Sequence, residues 1–219
     1  MMQKFKNSSK IVHQCLLYYA SKEIIYKELH TMALTYITNG KIVLPDSVVC
    51  GKILAFDSDN GKICGIVDEL PADANVIDAK GNYVAPGLVD IHIHGYLGED
   101  TCDAKPEGIK KMAYGIIQNG VTAFLPTTMT AKPESLMPAL RCIGEMRGKT
   151  KGAKILGAFA EGPFITAEHR GAQPLDAIAE PNQCLLSQMT EAAGGALRKV
   201  ILAPEAHGAA AFCRLLREQ

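Results

Sequence analysis

Apolar and polar positions follow two different patterns along this chain. From Met32 to about residue 85, short β-branched runs alternate with turn residues: "TYIT" and "KIVL" flank Asn39-Gly40, and "KILAF" and "KICGIV" flank a turn ending in Asn60-Gly61. Runs of this length split by Asn-Gly predict hairpins, and hence a small antiparallel β module. After "ADANVIDAKGNYVAPG" the apolar runs become almost continuous and more widely spaced. Four strands are predicted, at 87–94 (GLVDIHIH), 121–127 (VTAFLPT), 154–160 (KILGAFA) and 199–204 (KVILAP). Continuous apolarity at this spacing is the mark of parallel strands buried on both faces and joined by crossover helices.

Between the strands lie helical patterns. Residues 106–119 start with Pro106 in the first turn, repeat apolar residues at three and four spacing, and stop at Gly120. Residues 133–147 start the same way, with Pro138 expected to shift or kink the beginning. A third helix is predicted at 208–218. Residues 1–31 carry none of this punctuation and read as an extension, either helical or not native, with Met32 as the alternative start. The expected organisation is therefore 1–31 extension, 32–85 β module and 86–219 β/α units.

Such units close either as an open doubly wound sheet or as a β/α barrel. No G-x-G-x-x-G or G-x-x-x-x-G-K-[ST] follows any strand, so the nucleotide-binding forms of the open sheet lack their fingerprint. Polar residues instead occupy strand C-terminal ends, where barrels build active sites: His92, His94, Thr127, Thr128, Glu161 and Glu205. The fold class expected is α/β, the first half of a TIM-like β/α barrel. A complete barrel takes eight units and about 250 residues, and four units fit between Pro86 and Gln219.

Charge narrows the function classes. Lys plus Arg and Asp plus Glu are balanced at 23 each, so there is no excess positive field to hold nucleic acid. No stretch approaches the roughly 18 apolar residues that span a bilayer. The basic, partly apolar start "MMQKFKNSSKIVHQCLLYYA" imitates a signal peptide, but His13 and Gln14 interrupt it. A cytoplasmic protein is expected, with neither nucleic acid nor membrane as partner. Its seven cysteines, odd in number and without a C-x-x-C, read as reduced and mostly buried thiols.

In an extended strand, residues i and i+2 point to the same side, so His92 and His94 project together. Two imidazoles at this spacing reach one divalent ion. By itself an H-x-H is as readily a polar pair where a strand meets a loop. Glu161, alone, is as readily a solvated strand end. Three ligand-type groups at matching strand ends favour a catalytic site for zinc, iron or manganese.

The stretch "PGLVDIHIHG" resembles the opening metal motif of the amidohydrolase superfamily. "GVTAFLPTTMT", "ILGAFAEGPFITAEHRGAQP" and "KVILAPE" resemble one branch, the N-acetylglucosamine-6-phosphate deacetylases. The resemblance implies a metal-dependent β/α barrel preceded by a small β-sandwich-type module. It implies hydrolysis of the N-acetyl group of N-acetylglucosamine 6-phosphate, in amino-sugar catabolism, with one or two zinc or iron ions. Glu161 would be a ligand of the principal metal, His92 and His94 ligands of a second, and Ala172 and Gln173 substrate contacts. It further implies that the catalytic aspartate and two more histidine ligands lie in a second half of the barrel, beyond these four units, and that full-length members are homodimers. Activity of these 219 residues alone is accordingly not implied. His169 and His207 are expected at the surface, and Glu205 in a structural role. The alternatives are another amidohydrolase acting on a cyclic amide, and a non-catalytic half-barrel serving as an interaction protein.

Overall fold

The computed structural model describes residues 34–218; the expected extension, 1–31, lies outside them. Two compact units divide between Pro86 and Gly87. The first contains β1 (Leu34–Thr38), β2 (Lys41–Val43), β3 (Val48–Val49), β4 (Ile53–Asp57), β5 (Ile63–Val67), β6 (Asn75–Asp78) and β7 (Tyr83–Val84). They form two sheets, ordered β5-β4-β1-β6 and β3-β2-β7. The turn at Asn60-Gly61 joins β4 and β5 as an antiparallel hairpin. Gly61 takes a φ of +70° there, and the Asp57 carboxylate caps the turn by accepting the N–H groups of Asp59 and Asn60.

Asn39-Gly40 does something else. β1 is paired on both edges, with β4 antiparallel and β6 parallel, so β2 has no free edge of β1 to join and enters the other sheet. There it pairs antiparallel with β3 and parallel with β7. The module is therefore mixed rather than antiparallel. Strands that return from a distance make the parallel pairs, and local turn residues carry no trace of them.

The second unit begins with β8 (Leu88–Ile93), the ribbon β9 (Gly95–Tyr96) and β10 (Glu99–Asp100), and a 3₁₀ turn at Thr101–Asp103. Then follow α1 (Pro106–Ile116), β11 (Val121–Thr128), α2 (Pro133–Met146), β12 (Lys154–Ile155), β13 (Ala158–Phe164), α3 (Gln183–Ala192), β14 (Leu197–Leu202) and α4 (Ala209–Glu218). β11 pairs parallel with β8 on one side and with β12 and β13 on the other, and β13 pairs parallel with β14. Neighbours in the sheet are thus also successive in the chain. The helices bury Ile109, Met112, Leu136, Leu140, Ile143 and Leu186 against Phe124, Ala158, Ala160 and Phe164 in one core.

Four details depart from the sequence reading. The strand expected at 154–160 breaks into β12 and β13. It breaks at Gly157, where a Cβ would stand 2.4 Å from the Ala196 carbonyl oxygen, so only glycine permits the approach to the next strand. α2 starts at Pro133 despite Pro138 inside it, because the missing N–H and the ring affect only the carbonyl four residues back, at Glu134, in the adaptable first turn. α3 was not foreseen, although Asn182 caps it by accepting the Leu185 N–H and the apolar face is carried by Leu186 and Met189. Burial on both faces holds for β11 and β13 but not for β8, whose Leu88, Val89 and Ile91 are 62%, 53% and 55% exposed.

No cysteine among the described residues is in a disulfide, yet only Cys142 is buried. Cys50, Cys184 and Cys213 are exposed. They sit in a turn and on the outer faces of α3 and α4, where a small apolar side chain needs no burial.

Candidate metal centre

Register brings the candidate groups to one level. Pro126 of β11 lies opposite Ile93 of β8, and Thr127 opposite Phe159 of β13. His92 and His94 at the end of β8 on one side of β11, and Glu161 two residues beyond Phe159 on the other, therefore meet, although Glu161 stands in the middle of β13, which runs on to Phe164, and not past its end as the sequence suggested. The two Nε2 atoms lie 3.2 Å apart, and each is 2.7 Å from Glu161 Oε2. Among the described residues this is the one group of three such side chains close enough to share an ion.

The surrounding bonds orient each ligand. His94 Nδ1 is 3.1 Å from the Thr127 carbonyl oxygen. A carbonyl only accepts, so this nitrogen donates, and a neutral ring turns its Nε2 lone pair toward Glu161. Two lone pairs 2.7 Å apart need a shared cation, either a proton or a metal ion. The His92 ring stands edge-to-face on Phe159, with centroids 4.8 Å apart. On the same ring, Lys199 of β14 places Nζ 4.0 Å from the centroid, a cation–π contact. Thr127 Oγ1 accepts the Ile93 N–H and donates to the Leu125 carbonyl, tying β8 to β11 just below the histidines.

The donor set fits a divalent ion. Ligands about 2.0–2.1 Å from a tetrahedral zinc stand roughly 3.3 Å from one another. The three atoms here need to spread only slightly. Two imidazole nitrogens and one carboxylate oxygen suit zinc, iron or manganese. Three protein ligands leave a fourth position for water or substrate, as in catalytic sites.

Glu161 is held at its main chain as well. Thr130 Oγ1 donates to its carbonyl oxygen. The next residue, Gly162, has φ +93°, and a Cβ there would lie 1.9 Å from Thr130 Oγ1. Only glycine lets β13 run this close to the loop after β11. Gln173 is buried and its Nε2 donates to Glu161 Oε1 at 3.1 Å. Ala172, next to it, is exposed.

The other polar strand ends lie apart. Glu205 accepts from Thr166 Oγ1 at 2.7 Å, and that hydrogen bond holds its carboxyl below the ordinary glutamate range. It links the segments after β13 and β14 and is exposed, as are His169 and His207. Thr128 is buried, its hydroxyl without a protein partner. Thr130, Phe159 and Lys199 were missed as parts of the site. Alternation could have found two of them, since Phe159 shares a face with Glu161 at i+2 and Lys199 pairs with Phe159 in register.

No protein-family model matches this sequence. The chain is 34% identical over 161 residues to the N-acetylglucosamine-6-phosphate deacetylase of Lysinibacillus sphaericus, a match covering 73% of this chain and 42% of that protein. It is 34% identical over 151 residues to the N-acetylgalactosamine-6-phosphate deacetylase of Escherichia coli O157:H7, covering 68% and 40%. Among solved structures, N-acetylglucosamine-6-phosphate deacetylase from Pasteurella multocida superposes with a TM-score of 0.73 at 24% identity, over 83% of this chain and 48% of that one. The enzyme from Thermotoga maritima gives 0.65 at 26%, over 83% and 46%. The chain thus spans somewhat less than half the length of the relatives it matches. Over that part it is similar, in sequence and in fold, to the N-acetylglucosamine-6-phosphate deacetylases.

Proposed function

We propose that residues 87–219 are the first half of a β/α barrel and carry part of the active site of a metal-dependent deacetylase acting on N-acetylglucosamine 6-phosphate. Four successive parallel strands, neighbours in both chain and sheet, support the barrel over a doubly wound sheet, whose strand order reverses. Residues 32–85 serve as its β-sandwich-type module. The single observation that carries the reading is the convergence of His92, His94 and Glu161 within reach of one ion, in a chain whose relatives bear that enzyme's name.

His92 and His94 through Nε2, and Glu161 through Oε2, would hold the ion. A divalent ion there supplies Lewis acidity, polarising the amide carbonyl and lowering the pKa of water to about 7. The chain's own residues keep the ligands aimed: the Thr127 carbonyl holds the proton on His94 Nδ1, Phe159 backs the His92 ring, and Thr130 pins the Glu161 main chain. Amide cleavage also needs a group that takes the water proton and passes it to the leaving amine. Among the described residues no other carboxylate or histidine joins the cluster, and we infer that this group belongs to the second half of the barrel. The substrate is a phosphorylated amino sugar, the setting cytoplasmic and the assembly a homodimer. The cyclic-amide and interaction-protein alternatives have no observation in their favour.

The test joins residues 32–219 to the portion of the Lysinibacillus sphaericus relative that lies beyond the matched region. Acetate release from N-acetylglucosamine 6-phosphate, lost in Glu161→Ala, is the expected result. A folded, metal-loaded chimera inert toward this substrate would overturn the proposal.

A further inference from the structure

Gln173 is buried to 6% exposure, and both ends of its amide are occupied. Oε1 accepts the backbone N–H of Thr130 at 2.8 Å, and Nε2 donates to Glu161 Oε1 at 3.1 Å. Reversing the amide would set its NH₂ against the Thr130 N–H and its oxygen against a carboxylate, so only one orientation is possible. The backbone carbonyl of Gln173 in turn accepts from Arg170 Nη1, which braces the loop that delivers the amide. The two oxygens of Glu161 are therefore in different situations: Oε1 is engaged by an amide donor, and Oε2 alone faces the two imidazoles.

We propose that Gln173 is a positioning residue that makes Glu161 a one-oxygen ligand, by holding Oε1 back from the ion that His92, His94 and Oε2 bind. This rests on the metal-centre reading above. Without the amide, Oε1 is free to swing toward the ion, and the carboxylate loses the bond that fixes its plane. Outer-shell partners of this kind typically change metal affinity by about 10–100-fold.

The probe is Co²⁺ added to the purified 219-residue chain, read by calorimetry and by its visible d–d absorption. The variants are Gln173→Met, which keeps the side chain's length without its amide, and Glu161→Ala. The expected result is binding by the parent chain, loss in Glu161→Ala, and about 10–100-fold weaker binding in Gln173→Met, with a shifted d–d spectrum in a chain that stays folded at a thermal midpoint lowered by the loss of the Thr130 N–H acceptor. Binding by Gln173→Met with the parent's affinity and spectrum overturns the proposal while leaving the metal centre standing. Failure of the parent chain to bind Co²⁺ overturns both. If Gln173→Met does not fold, the parent's carboxylate infrared bands decide. A wide splitting of antisymmetric and symmetric stretches on metal addition, absent in Glu161→Ala, is that of a one-oxygen ligand. A narrow splitting overturns the proposal.

Discussion

β8 and β11 are adjacent, parallel and similarly apolar, yet they live in different environments. Phe124 of β11 is fully buried and Leu125 nearly so, whereas Leu88, Val89 and Ile91 of β8 are more than half exposed. The difference is one of neighbours. β11 has a strand on each side and helices packed against Phe124; β8 has a strand on one side only among the described residues. Apolar composition therefore reports what a strand is suited to bury, and neighbours decide how much it does bury. His92 and His94 end the less buried of the two strands, so the aim of their rings depends on what β11 and β13 provide: the Thr127 carbonyl, Phe159 and Glu161.

The largest effect expected from this contrast is in stability. Phe124→Ala should cost roughly 3–5 kcal/mol in denaturant unfolding, the range for a large aromatic removed from a packed core. Val89→Ala on β8 should cost less than about 1 kcal/mol, since most of that side chain already meets water. Equal costs would break the comparison and mean that β8 is covered in solution.

A smaller effect tests the tie between the strands. Thr127→Val removes the acceptor for the Ile93 N–H and the donor to the Leu125 carbonyl. Leaving that N–H without its partner should cost about 1–3 kcal/mol, with the His94 bond to the main-chain oxygen of residue 127 retained. A loss of Co²⁺ binding at unchanged stability would instead mean that the hydroxyl, not the carbonyl, positions the histidines.

The smallest effect is kinetic. Burial is the main influence on Cys102 and pushes its thiol above the ordinary range, partly offset by the Met129 N–H that its sulfur accepts just past β11. A raised value leaves less thiolate at a given pH. Alkylation of Cys102 at pH 8 should therefore be slower than that of exposed Cys184, and its rate should climb to a higher pH before levelling. Equal rates would show that the end of β11 opens readily.

Much of this protein was legible in its sequence because the relevant signals are local. Continuous apolarity and run length located the four long strands, Pro106 marked the start of α1 and Gly120 the end of the 3₁₀ turn that follows it, Ile117–Asn119, and Asn60-Gly61 marked a true hairpin. His92 and His94 stood out because a period of two puts them on one side whatever surrounds them. What tertiary structure alone decided involves partners distant in sequence: β2 leaving β1 for another sheet, β12 and β13 separating at Gly157 because Ala196 approaches, and the exposure of β8. The same holds in the site. Glu161 could be singled out as a candidate from its place after an apolar run, but only the fold brings Gln173, twelve residues on, and Thr130, from just past another strand, to its carboxylate and carbonyl. A side chain's type and period are properties of its own segment; which atom it meets depends on how distant segments pack.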